Sequence, residues 1–219
     1  EVTNYPFTLA WSEASRFYYG SLFASKSVYG INTAWPFLHP TRYMLLAIPF
    51  VIPDLPIWVH RLWQVTLWVG MTGLSSILLV RRLKISSKIL VCLAVIWAFL
   101  FLFQGPVYYH LLVCVALVLG VYNNNKFWQS TLVIILASLW AGISRVNWFP
   151  VPAMLAITLY MLETHYPEKS SWWAYLRKPV LWGVLGFVSA FGAQAGYVVL
   201  SGQADASSFA SSFVSDLLW

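Results

Sequence analysis

The chain has 219 residues, 60% of them apolar, 18% aromatic and 9% charged, and 13 Lys+Arg against 7 Asp+Glu leave a net charge of +6. A water-soluble domain carries about 25% charged residues, so that class is excluded, and the apolar content excludes disorder. Two cysteines, Cys92 and Cys114, lie inside apolar runs and exclude a disulfide scaffold. The composition predicts an all-α polytopic membrane protein, with room for about six spans of roughly 20 residues. The basic residues gather at span ends, so the polyanion they meet is the lipid headgroup layer and not nucleic acid.

Residues 1–56 hold no apolar run of spanning length, and Pro6, Pro36, Pro40, Pro49, Pro53 and Pro56 divide them. Two pieces read as helices. Over 8–24, Phe17, Tyr18, Leu22 and Phe23 recur at helical spacing. Over 41–52, Pro40 and Thr41 stand where a helix starts. Each has an apolar side and a side rich in Tyr, Phe and Arg, the pattern of a helix lying in the membrane interface. Spans are predicted at 57–80, 89–104, 107–122, 127–143, 149–163 and 179–201. The stretch from Glu163 to Lys178, with Trp172, Trp173 and Tyr175, reads as a lipid-facing loop. In 202–219, Phe209, Phe213 and Leu217 are four apart and predict a third interfacial helix. The organisation is therefore a loop region (1–56), a transmembrane bundle (57–201) and an interfacial tail (202–219).

Charge sets the expected orientation. One set of loops carries Arg81, Arg82, Lys84, Lys88, Lys126, Lys169, Arg177 and Lys178 against Glu163 and Glu168. The other side carries Arg16, Lys26, Arg42, Arg61 and Arg145 against Glu1, Glu13, Asp54, Asp205 and Asp216. The positive-inside rule puts the first set in the cytoplasm. The 1–56 region and the tail are then extracytoplasmic. The alternation also puts Glu1 outside, which predicts a span before it.

No phosphate-binding loop, dinucleotide fingerprint, nucleophile elbow or zinc motif occurs, so chemistry is sought in polar residues at membrane depth, where they are expensive. Glu13 stands early in the first interfacial helix. It is either a first-turn acid favoured by the helix dipole and paired with Arg16, or a carboxylate facing a hydrated cavity, able to act as general base or to hold a divalent metal. His39 and Arg42 either snorkel to headgroups or present a helix N-terminus to an anion. Arg145 is either an interface anchor beside Trp148 or a clamp for phosphate, since a guanidinium gives paired charge-assisted bonds. Gln104, Tyr108, Tyr109 and His110 surround the Gly105-Pro106 turn on the same side. His110 reads as a structural histidine or a supporting polar group. His60, Arg61 and Gln64 share a helical face and read as anchors, and the cysteines read as apolar packing. The four histidines, at 39, 60, 110 and 165, make no zinc constellation.

The order of parts resembles the GT-C superfamily of membrane glycosyltransferases, which includes protein O-mannosyltransferases and lipid A aminoarabinose transferases. The residues that carry the resemblance are Glu13, the helix through Tyr18-Tyr19-Gly20-Ser21-Leu22, Tyr29-Gly30, and His39-Pro40-Thr41-Arg42-Tyr43 with the apolar run to Ile52. They are similar to the family's first extracytoplasmic loop, its two juxtamembrane helices and its His/Lys-Pro segment. The likeness covers roughly residues 5–150. The chain departs from the family in having one loop Glu where paired acids are usual, and Gln104 where an acid often follows the second span.

The resemblance implies a polyprenyl-phosphate-linked sugar donor and transfer to an acceptor on the outer face of a bacterial inner (plasma) membrane. It makes Glu13 the base, or a residue near a metal, and Arg42 and Arg145 the donor-phosphate contacts, with Arg16, His39, Gln104 and His110 as supporting polar groups. The alternative expectation is a catalytically inactive GT-C-derived subunit of a larger membrane complex. A transporter or channel is a third, opposed by the scarcity of ionisable residues within the spans.

Overall fold

The computed structural model describes residues 2–4, 11–37, 39–164 and 171–202, and among them it is helical with no strand. Among the described residues nine α-helices run in chain order: α1 Trp11–Leu22, α2 Ser25–Tyr29, α3 Pro40–Ala47, α4 Ile57–Arg82, α5 Lys88–Phe103, α6 Tyr109–Val121, α7 Phe127–Ser144, α8 Val151–Glu163 and α9 Trp172–Leu200. Short 3-10 turns follow α3 (Ile48–Val51) and α7 (Val146–Trp148). The expected tail helix, His165 and Glu168 lie outside the described residues.

Three helices, α4, α7 and α9, are long and apolar enough to cross a membrane. At 1.5 Å per residue the 26 residues of α4 extend about 39 Å, against a hydrocarbon core of about 30 Å. The other segments expected to span are helical but shorter. The 16 residues of α5 reach about 24 Å and the 13 of α6 about 20 Å.

Prolines explain two departures from the expected boundaries. The helix expected over 41–52 ends as α at Ala47 and tightens into the 3-10 turn. Pro49 has no N–H for the carbonyl four residues back, and that carbonyl, Leu45 O, instead accepts from Trp63 Nε1 at 2.8 Å. The last long helix starts at Trp172, not at 179, so residues 172–178 are helix and the expected loop is shorter. Pro179 is inside it. The carbonyl that Pro179 orphans, Tyr175 O, accepts from the Tyr160 hydroxyl at 3.2 Å. A side chain from α8 thus repairs the ladder and lets the helix run through a proline.

The core lies where α6, α7, α8 and α9 meet. Trp182 on α9 is 1% exposed, donates Nε1 to Thr131 Oγ1 at 2.9 Å, and is ringed by Tyr122, Tyr160 and Phe127. The interface of α7 with α9 is the most extensive of the fold. Small residues permit it: a Cβ on Gly142 would stand 2.1 Å from Ala190 O, and one on Gly186 3.1 Å from Ser138 Oγ. Without a hydrophobic driving force in lipid, such close backbone approach supplies the packing energy. By contrast α5 packs mainly on α4, and of its residues only Ala98 is buried. Cys92 lies on its exposed surface, unlike the expected packing role, whereas Cys114 is buried on α6.

The α1–α3 region covers one end of this bundle. Gly20 of α1 sits against Leu46 of α3, where an added Cβ would be 3.4 Å from the leucine Cβ. Thr41 Oγ1 meets Ser144 Oγ at 2.5 Å and pins the start of α3 to the end of α7. Tyr197 on α9 donates its hydroxyl to Pro36 O at 2.6 Å.

Candidate functional site

The junction of α3 with α7 brings most of the sequence-predicted polar residues together. His39 precedes α3 with φ +50, a left-handed conformation for which a non-glycine residue needs a local reason. Pro40 at the first helical position fixes the direction in which α3 leaves. Arg145 follows α7 in extended backbone. Its Nε lies 3.1 Å from His39 Nδ1 and its Nη2 3.3 Å from His39 Nε2. A guanidinium only donates, and a neutral imidazole has one acceptor nitrogen. One of these contacts is therefore the hydrogen bond, and it requires neutral His39. Burial, then the charges of Arg145 and Arg42, hold the His39 ring down to about 4, so it is uncharged at neutral pH.

Arg42 stands at the centre of the cluster. Its guanidinium lies over the Tyr108 ring, 5.5 Å from the centroid, and its Nε is buried with no hydrogen-bond partner. Burial and then the Arg42 charge depress the pKa of Arg16. At Arg145, burial is the main depressing influence, and the Arg42 charge adds to it. All three arginines nonetheless remain cations. Burial raises the Tyr43 hydroxyl and the Arg42 charge opposes that rise. Among the described residues the ion pairs are Glu13 with Arg61 and Glu163 with Arg82, so neither Arg42 nor Arg145 has a carboxylate against it.

His110, at the start of α6, is 1% exposed and neither ring nitrogen has a partner. Its ring is 6.3 Å from that of His39 and lies between Tyr108 and Tyr109. The Tyr109 hydroxyl, also buried, has no well-aligned partner, although the Arg42 guanidinium lies within its reach. Buried polar atoms are normally satisfied. Here four of them, Arg42 Nε, Tyr109 Oη and both His110 nitrogens, occur beside two arginines that face no acid. Such a set can bind an oxyanion: the guanidinia supply charge, and the hydroxyl and imidazoles supply donors.

Glu13 is held elsewhere. Arg61 Nε donates to its Oε1 at 2.8 Å and Arg61 Nη2 to its Oε2 at 3.1 Å. Arg61 Nη1 also reaches Thr3 O at 2.7 Å. The close partner of Glu13 is thus Arg61, where Arg16 was expected, although Arg16 feels the Glu13 charge. His60 and Arg61 are buried at the start of α4 and do not act as interface anchors. The missed residue is Arg61. Its only signal in the sequence was a charge one turn inside an apolar helix, a placement that demands a partner.

Gln104 follows α5 and is exposed. A divalent metal at Glu13 does not fit this donor set, because the Arg61 guanidinium bonded to the carboxylate would repel a second cation. Among the described residues no three His, Cys, Asp or Glu side chains converge. No family model matches the chain, and neither a curated protein nor a solved structure matches it.

Proposed function

We propose that the protein is a multi-pass membrane glycosyltransferase of the GT-C type, taking its sugar from a polyprenyl-phosphate donor at the outer face of a bacterial inner membrane. The observation that carries the reading is the meeting of Arg42 and Arg145, uncompensated by acid, with the unpartnered donors of Tyr109 and His110. In this reading all six helices from α4 to α9 cross the bilayer, the shorter ones where it is thinned. The basic ends at Arg81, Arg82, Lys84 and Lys88 face the cytoplasm.

In the transfer, the acceptor oxygen forms a bond to the anomeric carbon while the bond from that carbon to the phosphate oxygen breaks. The departing phosphate gains negative charge, and Arg42 and Arg145 stabilise it where it develops. Arg16 adds its field from α1. The acceptor proton goes to Glu13, which first exchanges its bonds to Arg61 for one to the acceptor. The test is transfer from a polyprenyl-phosphate sugar by purified full-length protein. Glu13→Gln should abolish turnover and leave donor binding intact, and Arg145→Gln should weaken donor binding. Full turnover in a folded Glu13→Gln protein would remove Glu13 as the base, and unchanged donor affinity in Arg145→Gln would remove the phosphate site.

The two-pronged grip of Arg61 on Glu13 favours a second reading, in which the pair is a strut and the protein is a non-catalytic subunit of a larger membrane complex. A stoichiometric partner retained after mild detergent extraction, with no turnover by the complex that depends on Glu13, would support it.

A further inference from the structure

At the opposite end of the bundle, a cavity of about 530 Å3 opens between the end of α4, the 122–125 turn and the end of α8. Its charged lining is Arg81, Arg82, Lys84 and Glu163. Arg82 is fully committed. Its Nε and Nη2 donate to Leu119 O at 2.8 and 2.7 Å, Nη2 also to Tyr122 O at 2.6 Å, and Nη1 lies 3.2 Å from Glu163 Oε1. These bonds cap the carbonyls at the end of α6 and neutralise Glu163. Arg81 and Lys84 are exposed and form no ion pair among the described residues. Two cations therefore border the cavity unpaired, the one acid of its lining, Glu163, being matched by Arg82.

Two further observations fit a ligand. Tyr122 contributes to the lining, is 2% exposed, and its hydroxyl has no partner. The rest of the lining is the amides of Asn123, Asn124 and Asn125 with Leu78, Leu119 and Gly120. Leu74, one turn from Leu78 on the same face of α4, is 45% exposed. The site is thus cationic and polar, with an apolar edge at Leu78 that continues onto the exposed surface of α4.

We infer that this cavity binds the headgroup of an anionic phospholipid, its phosphate held by Arg81 and Lys84 and its glycerol and upper acyl chains lying against Gly120, Leu78 and Leu74. The exposed apolar surface of α4 beside the cations favours a lipid over free phosphate, since an inorganic ion would leave Leu74 and Leu78 uncovered. Basic pockets between membrane helices take such headgroups through charge and hydrogen bonding together. The inference does not depend on the proposed transferase activity, which uses the other end of the bundle.

The experiment is native mass spectrometry of the full chain in detergent, titrated with phosphatidylglycerol, phosphatidylcholine and inorganic phosphate. One phosphatidylglycerol should bind in preference to phosphatidylcholine. The double variant Arg81→Gln/Lys84→Gln should bind it about 30-fold more weakly, at about fivefold per cation. Phosphatidylcholine binding should not change. Gel filtration and circular dichroism check folding; if the double variant fails them, each single variant should lose about fivefold, and Lys84→Arg should retain affinity. Equal phosphatidylglycerol binding by parent and folded variants would overturn the inference. Equal retention of phosphatidylcholine by the parent, or displacement of the lipid by millimolar phosphate, would overturn it too.

Discussion

Replacing Arg42 with methionine separates a binding group from a structural one. The buried Nε of Arg42 has no partner, and an unsatisfied buried donor costs about 1–3 kcal/mol. Methionine keeps most of the side-chain volume and removes that cost, together with the repulsion from Arg16 and Arg145. The loss on the other side is the contact of the guanidinium with Tyr108, 5.5 Å from its centroid, worth about 0.5–1 kcal/mol at a partly exposed site. The balance predicts an empty protein about 1 kcal/mol more stable than the parent. Affinity for a polyprenyl phosphate should fall, because each hydrogen bond to a charged group contributes about 1.5–3 kcal/mol, which is on the order of 10- to 100-fold. Reversible unfolding in mixed micelles with rising dodecyl sulfate reads the first quantity, and titration with labelled polyprenyl phosphate reads the second. A variant more than about 1 kcal/mol less stable than the parent, with unchanged affinity, would show Arg42 to be a strut and would refute the reasoning.

Two more outcomes follow from local geometry. His39 has its folded pKa held down to about 4 against an ordinary 6.5, so the unfolded chain binds the proton more readily. Its contribution to stability is whole above about pH 6.5 and is lost as pH falls through 6.5 towards 4. Solvent screening of a partly exposed ring reduces the effect to roughly 1–2 kcal/mol. His39→Asn, which tolerates the left-handed backbone, should flatten that part of the pH–stability curve; an unaltered slope would remove His39 as its source. Gly142→Ala forces a Cβ from 2.1 Å towards the 3.4 Å at which ordinary contact with Ala190 O begins. The separation of α7 from α9 should cost about 3 kcal/mol, the upper part of the range for overpacking. Gly70→Ala, with no atom within 4 Å of the new Cβ, is the control and should be neutral or slightly stabilising.

The sequence pattern located the helical segments well because their apolar content is local information. Cores at 57–80, 89–104, 107–122, 127–143 and 149–163 coincide with α4 to α8 to within a few residues. The start of α9 was not legible, since a proline reads as a boundary unless its orphaned carbonyl finds a donor, and the donor here is Tyr160, 15 residues earlier in the chain. Polar residues divide in the same way. Glu13, Arg42 and Arg145 stand out in sequence as expensive groups near apolar runs. Which of them meet depends on tertiary contacts such as Thr41 with Ser144, 103 residues apart. Glu13 finds Arg61 across 48 residues, and neither helical spacing nor the dipole of α1 contains that information.

Charge balance gives the cluster its meaning. Near the α3–α7 junction Arg16, Arg42 and Arg145 influence one another, and the described carboxylate nearest to them in electrostatic effect, Glu13, has both oxygens bound to a fourth arginine. A stability-driven arrangement would place an acid between Arg42 and Arg145, as Glu163 is placed on Arg82 at the other end of the same bundle. The comparison is internal to one chain, so solvent and lipid conditions are shared. At that end Arg82 meets a carboxylate and helix carbonyls, whereas Arg42 and Arg145 face no described carboxylate and both His110 nitrogens lack a partner. Uncompensated cations held partly out of water are tolerated where an anion arrives to complete them, and in the transferase proposed above that anion is the donor phosphate.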